Sequence, residues 1–251
     1  MKDDGYHPDP QHANLQYTVR RYYVDDFFFR QVCRLNPKSK VLDLGGKKVG
    51  KRGTFDIAKY DLSVHYANTD AATSPDYLCD AASVPIPDCA FDVVICAELL
   101  EHVPHPVDVL REAFRVLKPA GVLLITVPFH CDIHPDPADY GRYTDTWLKE
   151  NLERLGFVDI SIERQGTFFT VLADMLKRFA GANIWPRRKI TRDLFLAGVT
   201  FWLRLSVKLE RAGWNHSNHV MLSYTTGFGV WARKPPIEQT TVAGKWQRVA
   251  R

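Results

Sequence analysis

No segment of this 251-residue chain is a run of about 18 or more uncharged apolar residues, so no helix is expected to span a membrane. The opening MKDDGYHPDP has no apolar core, and no secretory signal is expected there. The five cysteines, Cys33, Cys79, Cys89, Cys96 and Cys131, form no Cys-x-x-Cys pair and leave an odd one over. Free thiols in a reducing cytoplasm fit that usage better than a disulfide framework. Charge of one sign is also scarce. A net charge of +4 does not by itself demand a nucleic-acid partner. No internal repeat and no low-complexity segment interrupts the chain. What remains is ordinary for a soluble globular protein: 45% apolar and 25% charged residues, enough for one α/β domain or two small ones.

Two apolar runs organise the middle of the chain. FDVVICA (91–97) and VLLITVP (122–128) are short and rich in β-branched residues, and each reads as a buried parallel strand. Between them Leu99, Val103, Val109, Leu110, Phe114 and Leu117 recur at helical spacings, and Pro119 and Gly121 are expected to stop that helix. A strand–helix–strand crossover is right-handed and belongs to a doubly wound sheet. Ligands in such sheets lie beyond the carboxyl ends of the strands. Further strands are expected at 40–46, 65–70, 76–81, 158–166 and 225–233. Helices are expected over 17–35, from a Thr144 cap to Gly156, over 168–181 and over 192–213. No long amphipathic pattern follows the first strand, so the first crossover helix is expected to be short or missing. Residues 1–16 read as a loose arm and those after 236 as a solvated tail.

The block PIPDCAFDVVICAELLEHV, followed by REAFRVLKPAG, resembles the class I S-adenosylmethionine-dependent methyltransferases, in particular the type 11-like subgroup. A dozen positions match in order, over about residues 40–157 and again weakly at 225–235. The resemblance implies a Rossmann-like seven-stranded sheet of order 3-2-1-4-5-7-6 with strand seven antiparallel. It also implies S-adenosyl-L-methionine as cofactor. The chain to 236 then forms one methyltransferase domain, with a covering N-terminal helix (17–35) and a helical insertion (167–222).

The first candidate site is the turn Asp43-Leu44-Gly45-Gly46. Glycine lets backbone pass close to a ligand. The later glycines of the family pattern are replaced by Lys47 and Val49. Lys47, Lys48 or Arg52 is therefore a candidate for holding the cofactor's carboxylate. Asp70, at the end of the second strand, suits the ribose hydroxyls, or else simply opens a turn. The resemblance places Asp80 and Ala81 at the adenine. Glu98 follows the strand beside the point where strand order reverses, facing cofactor or acceptor. Glu101 and His102 come next; His102 is a candidate base, or braces the loop.

After the strand at 122–128 comes His130-Cys131-Asp132-Ile133-His134, then Tyr140 and Arg142. This loop is expected to wall the acceptor. His130 and His134 are candidate bases, and Asp132, Tyr140 and Arg142 candidate acceptor contacts, with a rigid Pro-bounded lid as the alternative. The spacing His-x-Asp-x-His is not diagnostic of a metal, and none is expected. Between Lys177 and Arg211 there are nine Lys/Arg against two acidic residues, with the short apolar run LFLAGVTFWLRL among them. This suits peripheral contact with an anionic membrane, a phosphate-bearing acceptor, or a lid or dimer interface.

The expected activity is methyl transfer to a small molecule or glycan. O-methylation is favoured, and a sugar, nucleotide sugar or lipid-linked glycan fits relatives in polysaccharide biosynthesis. The location expected is cytoplasmic, including the inner face of the membrane, and no nucleic-acid partner is expected. The competing expectation is a catalytically inactive scaffold with the same fold at a membrane surface.

Overall fold

The structure is a computed structural model, and it describes residues 18–51, 53–181, 189–211 and 219–237. The expected arm and tail, Arg52, Arg187 and Arg188 lie outside the described residues. Helix α1 (Val19–Val32) starts at Thr18, whose side chain accepts from the Arg21 N–H. It is followed by β1 (Lys40–Leu44), β2 (Ser63–Asn68), β3 (Tyr77–Leu78) and β4 (Phe91–Ala97), then α2 (Pro106–Val116) and β5 (Leu117–Pro128). Next come α3 (Asp145–Leu155), β6 (Val158–Gln165), α4 (Phe168–Gly181), α5 (Lys189–Arg211), α6 (His219–Leu222) and β7 (Gly227–Arg233).

The strands form one seven-stranded sheet of order β3-β2-β1-β4-β5-β7-β6. Strands β1 to β5 run parallel, and β7 is antiparallel to both β5 and β6. The order reverses between β1 and β4, which places the crevice at their carboxyl ends.

Alternation along the strands assigns the two faces. Val41, Val93, Ile95 and Leu124 point to one side, where α1 buries Val24, Phe27, Phe28 and Val32 against them. Leu42, Leu44, Val94, Cys96, Leu123 and Ile125 point to the other, under Val109, Leu110 and Ala113 of α2 and Leu148 and Leu152 of α3. Each large side chain buried this way stabilises the fold by about 1.5–3 kcal/mol.

The first crossover helix, expected to be short or missing, is short: among the described residues between β1 and β2 the one helical element is the turn Ile57–Lys59. Helix α1 and Phe55 cover the sheet there instead, with Phe28 stacked on Phe55 at 5.4 Å. The helix after β4 differs from the sequence reading. Leu100–His102 forms a separate short turn, and α2 begins only at Pro106. Pro106 suits the first helical position, where its missing N–H costs nothing. Helix α2 also stops earlier than Pro119, at Val116, because Leu117 already pairs with Phe91 as the start of β5. The third strand is shorter than expected, two residues rather than six.

Helices α4 and α5 lie between β6 and β7 in the chain, where the helical insertion was expected, and they pack against each other. Glu210 of α5 fastens them to the body: it accepts from the Thr167 N–H at 2.8 Å and from the Thr170 hydroxyl at 2.9 Å, and the Tyr23 hydroxyl of α1 donates to it.

Candidate cofactor and acceptor site

The turn after β1 is built for close approach. Gly45 has φ +75, and a Cβ there would meet the Leu99 side chain at 2.7 Å. A Cβ on Gly46 would sit 2.2 Å from the Asp43 carboxylate. Asn68, at the end of β2, donates to the carbonyls of Gly45 and Gly46 at 2.9 and 3.0 Å, which fixes the turn. Asp43 has one carboxylate oxygen sealed from solvent without a hydrogen-bond partner. Burial pushes its pKa from 3.8 up to about 7, against the opposing pull of Lys51. That is a buried carboxyl, with one oxygen unpartnered, beneath a glycine turn.

The other expected residues are held locally. The Asp70 side chain accepts from the Ala72 N–H at 2.9 Å and caps a turn just past β2. Asp80 accepts from the Ala82 N–H at 2.8 Å, and Ala81 is buried beside it. Both carboxylates are exposed. Lys47 and Lys48 are ion-paired, with Asp136 at 3.6 Å and Asp76 at 2.9 Å. The contact from Lys47 ties the β1 turn to the loop after β5.

Glu98 sits at the end of β4 with φ +50, a left-handed conformation that is costly for a residue with a Cβ. Its carboxylate is engaged by Arg20 of α1, at 3.0 Å from Nε and 2.5 Å from Nη2. The guanidinium also donates to Gln165 of β6. Arg20 holds the Glu98 carboxyl below the usual range even though burial opposes this. Arg20, Asn68 and Gln165 escaped the sequence reading. Arg20 had one legible sign: a charge on the apolar stripe shared with Val24 and Phe27.

The loop after β5 brings three histidines and Glu101 to the same end of the sheet. Phe129 and His130 extend the pairing to Thr226 and Thr225. The Nδ1 atoms of His130, His134 and His102 face the carbonyls of Thr225 (2.9 Å), Asp132 (2.9 Å) and Ala138 (2.6 Å). A carbonyl only accepts, so each Nδ1 carries a proton, and the neutral form of each ring has its lone pair on Nε2. The rings of His102 and His134 meet edge to face at 5.2 Å. Glu101 is fully buried, and neither carboxylate oxygen has a hydrogen-bond partner. Burial, then the Glu98 charge, pushes its pKa well above the usual range.

Asp132 is exposed and paired with Arg178 of α4. Arg142 is held by both oxygens of Asp139. Tyr140 is exposed, and its N–H donates to the Glu101 carbonyl at 2.7 Å. Arg142 and Tyr140 thus brace the wall.

A family model described as a methyltransferase domain matches residues 21–125, the stretch that holds most of α1, the glycine turn, Asp70, Asp80 and Glu98. Over that stretch, two-fifths of its length, the chain is similar to the class I methyltransferases. It is 35% identical over 108 residues to the ubiquinone/menaquinone biosynthesis C-methyltransferase UbiE of Paraburkholderia phymatum, covering 37% of this chain and 44% of that one. It is 33% identical over 165 residues to a "Probable S-adenosylmethionine-dependent methyltransferase" of Mycolicibacterium smegmatis, covering 59% of this chain and 62% of that one. The chain thus spans less than half the length of the UbiE relatives that it matches.

Among solved structures, a SAM-dependent methyltransferase from Archaeoglobus fulgidus superposes with TM-score 0.54 at 15% identity, covering 89% of this chain and 98% of that one. The cyclase SpnF superposes with TM-score 0.53 at 21% identity, covering 86% and 82%. Those likenesses are of fold, and a cyclase among them shows that the methyltransferase fold hosts other reactions.

The Mycolicibacterium smegmatis relative is named as S-adenosylmethionine-dependent. The residues present fit that cofactor. A buried carboxylate with one unpartnered oxygen, under a turn without side chains, offers room and negative charge for a cationic ligand, and Asp70 and Asp80 stand exposed at the ends of the next two strands.

Proposed function

We propose that the chain is an S-adenosylmethionine-dependent methyltransferase that acts on an oxygen of a small molecule or glycan. The observation that carries the oxygen preference is the set of Nδ1–carbonyl contacts at His130, His134 and His102. These contacts make Nε2 the proton-accepting atom of each ring in its neutral form, and a hydroxyl acceptor needs such a base. In this reading Asp43, Gly45, Gly46, Asp70, Asp80 and Ala81 hold the cofactor. When bound, the cofactor supplies an electrophilic methyl group on a sulfonium, whose leaving thioether is neutral and needs no acid. The protein's own work is positioning, which contributes about 7–11 kcal/mol in well-aligned reactions, and holding the acceptor's proton on a histidine. Glu98 serves that positioning through its grip on Arg20, which ties α1 to the end of β4.

Sugars, nucleotide sugars and lipid-linked glycans are the proposed acceptors. The basic insertion supports a phosphate-bearing acceptor or an anionic membrane. Leu194 and Phe201 of α5 are 70% and 69% exposed, with Arg204 and Lys208 exposed on the same helix. An apolar stripe flanked by cations suits a bilayer surface. No helix among the described residues is long and apolar enough to cross a membrane. The printed name of the UbiE relatives makes carbon the competing acceptor atom. Incubation with S-adenosylmethionine and a panel of nucleotide sugars, lipid-linked sugars and quinol precursors, read by mass spectrometry, tests the reading. A one-methyl gain on a sugar hydroxyl is expected. Methylation of a quinol ring carbon alone would replace it.

A further inference from the structure

Glu101 has no role in the methyl-transfer reading, yet it is the costliest side chain in the wall. It is fully buried, and both carboxylate oxygens lack any hydrogen-bond donor. A buried carboxyl left unpartnered costs free energy whether ionised or not. Such a group persists when something else completes it. The two terminal nitrogens of the nearby Arg142 guanidinium are committed to both oxygens of Asp139 and to the carbonyls of Asp132 and Gly141, and its buried Nε makes no hydrogen bond to Glu101. Two imidazoles converge on Glu101 instead. His102 Nε2 lies 3.7 Å from its Oε1, and one ligand atom from each of Glu101, His102 and His134 lies within 4.8 Å of the others.

We propose that Glu101, His102 and His134 form a binding site for a first-row divalent transition ion. Three properties support it. The donor set, two imidazoles and a carboxylate, is one that such ions take readily. Both rings have their second nitrogen fixed on a backbone carbonyl, His102 on Ala138 and His134 on Asp132, so Nε2 presents its lone pair. A carbonyl behind a ligating imidazole is the usual supporting contact. The carboxylate aimed into the cluster is sealed from water and otherwise without a partner.

Ligand atoms around one ion stand about 3–3.5 Å apart, given bonds of about 2.0–2.2 Å. The present spacing closes to that with shifts of about 1 Å in side chains whose loop, at His134, is only half-buried. An overlapping cluster, Cys131, Asp132 and His134, is the weaker candidate, because Asp132 is already paired with Arg178 and is exposed.

Three protein ligands leave coordination positions open. An oxygen of the acceptor is the chemical class that would take one, and that use alone rests on the methyl-transfer reading. With His102 and His134 on the ion, His130 is left as the base. The site departs from the expectation, drawn from the spacing of His130, Asp132 and His134, that the protein takes no metal.

The test needs neither cofactor nor acceptor. The full chain, freed of metal by chelation and dialysis, is titrated calorimetrically with Zn(II), and with Co(II) while visible absorption is read. One ion per chain is expected. Glu101→Gln and His134→Ala should each weaken binding at least tenfold, while Cys131→Ser leaves it unchanged. Circular dichroism checks folding. If Glu101→Gln does not fold, His134→Ala on its exposed loop decides. Folded wild-type protein that binds neither ion overturns the site. So do variants at Glu101 and His134 that bind as wild type, and so does loss on Cys131→Ser with retention in Glu101→Gln. Ion binding without any methyl transfer would leave the site standing and remove the reading of its use.

Discussion

Asp43 is an ionisable group placed where its charge has little support. Its pKa stands at about 7 instead of 3.8, chiefly through burial. Asp25, which accepts from the Thr54 N–H at 2.6 Å, is raised to about 6 for the same reason. A raised acid binds its proton more tightly in the folded state, so folding takes up protons between the two pKa values. The stability these two groups contribute therefore falls as pH rises from about 4 to about 7. The fall is clearest above about 5, where the lowered carboxyls such as Glu98 are already ionised in both states. Thermal melts of the unliganded protein across that window should show this decline, and Asp43→Asn should flatten part of it. A wild-type melting temperature that climbs steadily through the window would contradict the assignment.

Arg20 and Glu98 make the opposite kind of pair: two charges, with side chains 7% and 15% exposed, satisfied by each other. Removing one strands the other, so Arg20→Ala should cost about 3–5 kcal/mol in denaturant unfolding. A loss near that of a surface pair, under 1 kcal/mol, would mean the geometry carries little energy.

At the scale of elements, the loop after β5 and helix α5 carry the functional expectations. His130→Ala should lower turnover roughly 10²-fold while cofactor affinity changes little, because the ring lies beyond β5 and the residues proposed to hold the cofactor lie over β1 to β3. Normal turnover with the true acceptor would make His130 a structural residue of the Thr225 contact. On α5, Phe201→Asp should abolish cosedimentation with anionic vesicles, and added salt should weaken the wild-type binding. Wild-type protein that stays in the supernatant at low salt would leave the stripe to a lid or dimer contact.

These elements were unequally legible in the sequence. Strand β4 (Phe91–Ala97) and helices α3 and α4 stand where their patterns put them, because runs of buried β-branched residues, a Thr cap and a terminal glycine are local signals. The start of α2 was misplaced because Leu99 and Val103 fit a helical period while packing from a separate turn and loop. Hydrophobic spacing does not distinguish the two.

At the scale of the whole molecule, the sheet order followed from the family pattern. The shortened first crossover helix was visible as a stretch with no amphipathic period. The long-range contacts were not legible. Arg20 reaches Glu98 and Gln165 across 78 and 145 residues of chain, and Glu101 meets His134 only because the β5 loop folds back over β4. No local propensity encodes such pairings. They follow from topology, which fixes which strand ends become neighbours.

The topology places Asp43 at the carboxyl end of β1 and Asp70 and Asp80 just beyond the ends of β2 and β3, in line with a nucleoside-bearing ligand. Asp70→Ala should accordingly weaken S-adenosylmethionine by about 1–3 kcal/mol through lost charge-assisted hydrogen bonds. Isothermal titration of the full chain with S-adenosylmethionine is the most direct measurement. One site per chain, weakened in folded Asp70→Ala, is the expected result. A folded wild-type protein that gives no binding heat, or an Asp70→Ala variant that binds as tightly as wild type, would contradict it.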